Sequence, residues 1–137
     1  VASPEAVFCL SEVKVGLIPA TIGPYVVRAI GQRASRRYFT TAELISADKA
    51  LTLGLVSEVV ASDQLDECIA GITKNLLRNG PRSVGEAKRL VLDVADGEID
   101  AAMIADTSQR IAETRGSDEG REGLTAFLEK RKPAWIK

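Results

Sequence analysis

The rhythm of apolar and polar positions changes character once along this chain, near Ser62. Before that point the apolar runs are short and of mixed type. Residues 7–10 read as the remnant of a strand. Over residues 21–30, the spacing of Ile22, Val26, Val27 and Ile30 predicts one apolar helix face. Pro24 is tolerated near that helix start, where its missing N–H costs nothing, and Gly31 is the predicted stop. A second helix is predicted over residues 33–41. Ser46 then reads as the N-cap of a short helix to Leu53 with Gly54 as its end. The β-branched run at residues 55–60 predicts a strand.

From Ser62 onward the pattern is wholly helical. Ser62 is the predicted cap of a long helix carrying Leu65, Cys68, Ile69, Ile72 and Leu76 at helical spacing. Asn79-Gly80-Pro81 ends it. The next helix starts either at a capping box formed by Ser83 and Glu86, or a turn earlier at Pro81. Its apolar stripe is Val84, Ala87, Val91 and Val94. Gly97 interrupts, and an amphipathic helix carries Ile99, Ala102, Met103 and Ile111. After a break at Arg115-Gly116-Ser117, a last helix runs to about Arg131, with Ser117 as cap and two acids at its positive end. This shift divides the chain into residues 1–61, part of an α/β core, and residues 62–137, a helical region. Helices apolar on one face with little sheet to cover usually bury that face against another chain or domain.

Composition narrows the function. With 137 residues the length is that of one domain, and 45% apolar residues suffice for a core. The 18 basic and 19 acidic side chains nearly balance, which gives no reason to expect nucleic acid as a partner. No apolar run is long enough to span a bilayer and no signal-peptide pattern is present, so a cytoplasmic location is expected. Cys9 and Cys68 read as small core residues in a reducing compartment, a disulfide being the alternative. The absence of histidine excludes Ser-His and Cys-His pairs and a His-based metal site within this chain, and no metal is expected. Arg33, Arg36 and Arg37 sit on or near one helix face and read as solvated or helix-pairing rather than as a phosphate site.

The candidate chemistry lies in residues 8–20. An apolar run ends in a lone acid, Glu12, and a loop follows that is stiffened by Gly16 and Pro19. This is how a carboxyl is presented at the lip of an apolar pocket, where poor solvation raises its pKa toward the range useful for proton transfer. On composition alone, a solvated acid at a strand end is the favoured reading, because one Glu near Pro and Gly is a weak signal.

The segment Ser-Glu-Val-Lys-Val-Gly-Leu-Ile-Pro, from Ser11 to Pro19, resembles a block of the enoyl-CoA hydratase/isomerase (crotonase) superfamily. The resemblance continues through Pro24-Tyr25, Arg36-Arg37-Tyr38-Phe39, Ala50 with Gly54-Leu55-Val56, and residues 121–133. It implies the α/β crotonase (ClpP/crotonase-like) fold, here a predominantly helical part of it with remnant strands and a helical oligomerisation region. It also implies that a preceding half, with most strands, the oxyanion-hole N–H groups and a first catalytic Glu, lies outside this sequence, which begins at Val1. By the resemblance Glu12 is a catalytic acid, Leu17 and Ala20 line the acyl site with Ile18, and Phe127 and Lys130 contact CoA from one face of the last helix. Ala20 stands where many hydratases have a Gly whose N–H helps hold water, and Gly23 where the methylglutaconyl-CoA hydratase branch more often has Ser. That branch is the one the Ile18–Val26 and Arg36–Phe39 segments look most like. The implied activity is hydration of an acyl-CoA thioester, with an isomerase or a non-catalytic assembly module as alternatives. No cofactor is implied, CoA being part of the substrate, and the implied assembly is a homotrimer or a dimer of trimers. Trp135 and the run Lys130-Arg131-Lys132 read as tail packing and a solvated helix end.

Overall fold

The secondary structure of the computed structural model, which describes residues 1–136, runs β1 (Val7–Phe8), α1 (Gly23–Thr41), β2 (Ile45–Ser46), α2 (Ala47–Leu53), α3 (Leu65–Leu77), α4 (Pro81–Val94), α5 (Ala101–Gly116) and α6 (Asp118–Leu128). Single turns of 3-10 helix at Glu12–Val15 and Ser62–Gln64 complete it. The chain divides into two units, Val1–Ala70 and Gly71–Lys137.

In the first unit, β1 and β2 pair antiparallel with Phe8 opposite Ile45. Ile45, 1% exposed, anchors a cluster with Leu10, Val26, Ile30, Tyr38 and Ala50. α1 is two helices in one. Gly31, at φ 75° and ψ 162°, breaks it where the sequence predicts a stop. A Cβ on Gly23 would lie 3.4 Å from the Phe39 ring, whereas an unbroken helix would hold those positions about 24 Å apart. The chain therefore folds back at Gly31, and Ile30 and Tyr38 reach one core from either side of the break. Ser46 caps α2, its Oγ accepting from the Lys49 N–H at 3.3 Å, and Gly54 closes it at φ 78°.

Residues 55–60 do not form the expected strand. The N–H groups of Leu55 and Val56 turn back to the Ala50 carbonyl at the end of α2. Only a parallel bridge between Val59 and Ala2 remains. Ser62 does not cap α3 either: it lies in the preceding 3-10 turn, and its hydroxyl donates to Glu5 Oε2 at 2.8 Å. Both cysteines are free thiols, and Cys9 is exposed rather than in the core, donating to the Ala42 carbonyl at 3.4 Å. Cys68 is partly buried, and the hydrogen bond to Glu58 Oε2 pushes its pKa up.

In the second unit polar contacts fasten the helices. α4 begins at Pro81, so the Ser83–Glu86 capping box does not form. The first turn is capped from α6 instead: Glu119 accepts from the Arg82 N–H at 3.0 Å, the Ser83 N–H at 2.8 Å and the Ser83 hydroxyl at 2.7 Å. Pro81 has no N–H, and the Val84 N–H donates to the Gly80 carbonyl, so no donor of that turn is left over. Asp100 caps α5 through the Met103 N–H, and Arg110 of α5 pairs with Asp93 of α4 at 2.5 Å. Ser117 alone joins α5 to α6 and caps the latter, as the sequence predicts. Ile99, expected within α5, precedes its cap Asp100 and is 86% exposed, and the apolar stripes stay open to solvent: Ile111 is 66% exposed, Phe127 79% and Leu128 77%. Leu124 is exposed as well, so the apolar stripe of α6 is not covered within this unit.

Candidate functional site

Glu12 opens a turn that is fixed from both sides. Leu10, two residues earlier, is anchored in the core of the first unit. Gly16 ends the turn in the left-handed region at φ 78°, a conformation glycine adopts without strain. The Glu12 carbonyl accepts from the N–H groups of Gly16 and Leu17, the latter at 3.0 Å, so its backbone is held by the loop that follows it. Its side chain is partly buried, and Oε2 is buried with no hydrogen-bond partner among the described residues. Leaving a buried acceptor unpaired costs about 1–3 kcal/mol, and each such group calls for an explanation, a catalytic role or a bound water among them.

Beyond the turn, Leu17 is 63% and Ile18 73% exposed, and Ala20 is exposed as well. Ordinary loop packing does not account for these apolar side chains. Pro19 is buried and its carbonyl accepts from the Gly23 N–H at 2.8 Å, which sets the start of α1. The Ala20 N–H donates to the Ile18 carbonyl at 2.8 Å, so in this structure it is directed at the loop itself. Alanine here carries no positive φ and is unstrained. Glu12, Leu17 and Ala20 thus share one loop.

Phe127 and Lys130 lie in the second unit, but not as one helix face. α6 ends at Leu128, short of the expected Arg131, and Glu129 is its C-cap. The Lys130 N–H donates to the Phe127 carbonyl at 3.2 Å and the Arg131 N–H to the Ala126 carbonyl at 3.0 Å. This pair of bonds is a Schellman closure, whose left-handed position is usually glycine. Here it is Lys130, at φ 55°. The tail beyond is tied back by Glu122, a residue the sequence reading passes over. It accepts from both Nη atoms of Arg131, at 2.6 and 2.9 Å, and from the Ala134 N–H at 2.8 Å. Arg131, followed by the Ala134 N–H, holds the Glu122 carboxyl down to about 2. The basic run after α6 is therefore a latch in part: its Arg131 is paired. Trp135 packs as expected, with Cη2 3.0 Å from where a Gly123 Cβ would stand and Nε1–H donating to the Arg78 carbonyl at 3.2 Å.

Among the described residues no cluster of three or more metal-ligating side chains forms, and no helix is long and apolar enough to cross a membrane.

The profile of the enoyl-CoA hydratase/isomerase family matches residues 1–137. Among relatives, enoyl-CoA hydratase domain-containing protein 3, mitochondrial, of Homo sapiens is 33% identical over 135 residues, 98% of this chain and 44% of its own. The short-chain-enoyl-CoA hydratase of Clostridium acetobutylicum is 32% identical, over 96% of this chain and 51% of its own. Among solved structures, an enoyl CoA hydratase/isomerase (crotonase) of Legionella pneumophila superposes with a TM-score of 0.93 at 47% identity, covering 98% of this chain and 52% of that one. An enoyl-CoA hydratase of Shewanella pealeana gives 0.92 at 50% identity, covering 97% and 49%. The chain spans about half the length of the proteins it matches. Sequence, fold and the ordered blocks around Glu12 agree: the chain has the crotonase fold and belongs to the enoyl-CoA hydratase/isomerase family.

Proposed function

We propose that this chain supplies the proton-transferring carboxyl of an enoyl-CoA hydratase, with Glu12 as that group. The observation that carries the reading is the buried, unpartnered Glu12 Oε2 on a turn locked by Gly16. In hydration of an α,β-unsaturated thioester, water adds across the double bond and a proton is delivered to the carbon next to the carbonyl. A fixed, poorly solvated carboxyl is suited to hold the water or handle that proton. Negative charge builds on the thioester oxygen in the transition state and calls for two converging N–H donors. The loop around Glu12 offers no such pair, since the N–H groups of Gly16, Leu17 and Ala20 are all directed at the turn's own carbonyls. The chain by itself therefore does not turn substrate over.

Leu17, Ile18 and Ala20 form the apolar lip beside the acyl group. Phe127 and Lys130 bind the CoA part, and the strained backbone of Lys130 supports this. A glycine would sit at φ 55° at lower cost, so the lysine side chain is the reason to have anything else there. The open apolar positions of α5 and α6 fit burial between subunits of a trimer or of stacked trimers. Methylglutaconyl-CoA is the substrate the loop sequences favour, and no cofactor beyond the CoA of the substrate takes part.

The test is hydration of crotonyl-CoA and methylglutaconyl-CoA, followed as loss of enoyl-thioester absorbance, in the intact enzyme that carries this segment. Glu12→Gln should lower kcat on the order of 10²–10⁴-fold with little change in folding. Unchanged kcat would remove Glu12 from the chemistry. Preference for crotonyl-CoA over the branched thioester would remove the methylglutaconyl assignment alone.

A further inference from the structure

The arginines of α1 acquire a companion that the sequence does not put beside them. Arg33 and Arg37, one helical turn apart, and Lys49 of α2 line a single open crevice of ≈ 560 Å³ in the first unit. Its apolar wall is Ile30, Ala34 and Leu53, with Tyr38 between. Glu43 engages Arg37, accepting from Nε at 2.9 Å and Nη2 at 2.6 Å through one oxygen, and does not line the crevice. Among the described residues no hydrogen bond or ion pair engages the Arg33 or Lys49 side chain. Arg36, on the same helix, stays outside.

Like charges one turn apart on a helix repel rather than stabilise. Glu43 offsets the charge of Arg37 alone, so Arg33 and Lys49 bring further positive charge to the crevice, a clustering that an anion lying between them would relieve. Guanidinium groups offer planar paired donors that match the oxygens of a phosphate, and a lysine adds a compact charge. The apolar wall gives the rest of such a molecule a place to lie. The feature is a crevice and not a strip, and Tyr38 is 5% exposed and offers no stacking face to a nucleic-acid strand.

We infer that the crevice of Arg33, Arg37 and Lys49 between α1 and α2 binds a phosphate-bearing small molecule. The inference stands apart from the role given to Glu12, and neither fails with the other.

The experiment is calorimetric and NMR titration of the chain with pyrophosphate, with 3′,5′-ADP and with CoA at low salt. Saturable binding of pyrophosphate with amide shifts confined to the neighbourhood of residues 33, 37 and 49 is expected; CoA and 3′,5′-ADP should shift these residues too, apart from any shift near Phe127 and Lys130. Arg33→Gln and Lys49→Gln should each weaken it on the order of tenfold, the loss of one charged hydrogen-bonding partner. Arg36→Gln, equal in charge change, should leave it intact, and Lys49→Arg should retain it. Tighter binding of 3′,5′-ADP and CoA than of pyrophosphate, read from the amide shifts of residues 33, 37 and 49 themselves, would make the source a CoA thioester; the reverse order would make it a free phosphorylated metabolite. Absence of saturable binding, or equal weakening by Arg36→Gln, overturns the assignment.

Discussion

Replacing Lys130 by glycine should stabilise the second unit while weakening substrate binding, and the two effects can be read separately. Lys130 occupies the left-handed position of the Schellman closure that ends α6, at φ 55°. An L-residue there carries a steric cost of about 1–2 kcal/mol from its Cβ against the following carbonyl. Glycine removes that cost but loses more freedom on folding, about 0.5–1 kcal/mol. The balance is a gain of roughly 0.5–1 kcal/mol, which for a unit of this size raises Tm by a few degrees, on the order of 2–8 °C. Among the described residues no hydrogen bond or ion pair of the Lys130 side chain offsets the gain. The sole tryptophan, Trp135, sits in the same unit with its indole on Gly123 and Arg78, so its fluorescence during urea unfolding reports this unit. In the intact enzyme the same substitution should raise KM for the CoA thioester and leave kcat nearly unchanged. A variant that is less stable than the wild type refutes the backbone argument. A more stable variant with unchanged KM refutes the functional one.

Three further outcomes follow from the contacts described. Glu119→Ala strips two backbone donors and a hydroxyl at the start of α4, and should cost about 1–2 kcal/mol, less than buried bonds would because the carboxyl is only partly buried. Burial alone would raise the Glu119 pKa, but the Ser83 and Arg82 hydrogen bonds hold it below its usual value. Its contribution is thus complete above the unfolded pKa and fades as pH falls through the folded one, so mutant and wild type should converge in acid. Glu122, held at about 2 against a usual 4.5, should likewise stop supporting the tail as pH drops from about 4.5 toward 2, and Glu122→Gln should flatten that acid limb in Trp135 fluorescence. Gly31→Ala, with open space around its Cβ but φ 75° and ψ 162°, should cost about 1–3 kcal/mol of strain. Gly85→Ala, also in open space but in regular helix, should stabilise by up to about 1 kcal/mol. Equal effects of the two substitutions would show that backbone conformation does not decide them.

Features decided within a few residues are legible in the sequence. The Gly31 break, the Ser46 cap with its Gly54 stop, and the Ser117 cap each depend on one side chain and its adjacent backbone. The misses depend on partners far along the chain. Ser62 looked like a cap, but its hydroxyl goes to Glu5, 57 residues away. Of the two starts that the sequence allows for α4, the structure takes Pro81, and what the sequence does not reveal is that Glu119, 36 residues beyond Ser83, caps its first turn. The run at residues 55–60 had strand composition without a neighbouring strand to pair with along its length. The sequence predicts α6 to about Arg131 because its closure uses lysine where glycine would announce the end. In the site, the Glu12 turn was visible from Gly16 and Pro19, whereas the orphaned Oε2 and the meeting of Lys49 with Arg33 exist only once the helices pack.

The places where local rules are broken sort by what could repair them. Gly16, Gly31 and Gly54 all hold positive φ with the one residue suited to it, so the fold resolves those turns by itself. Ser35 is 3% exposed with its hydroxyl unpaired, inside the α1 packing of the first unit, and carries no charge that a reaction would use. Glu12 and Lys130 differ from these. One has a buried carboxylate oxygen without a partner, the other a left-handed backbone under a long cationic side chain. Within the chain each choice is a loss, and a glutamine or a glycine would be cheaper for the fold alone. Sequences keep such losses where another molecule completes the balance. Under the proposed function, the acid handles a proton and the cation meets the CoA part of the substrate.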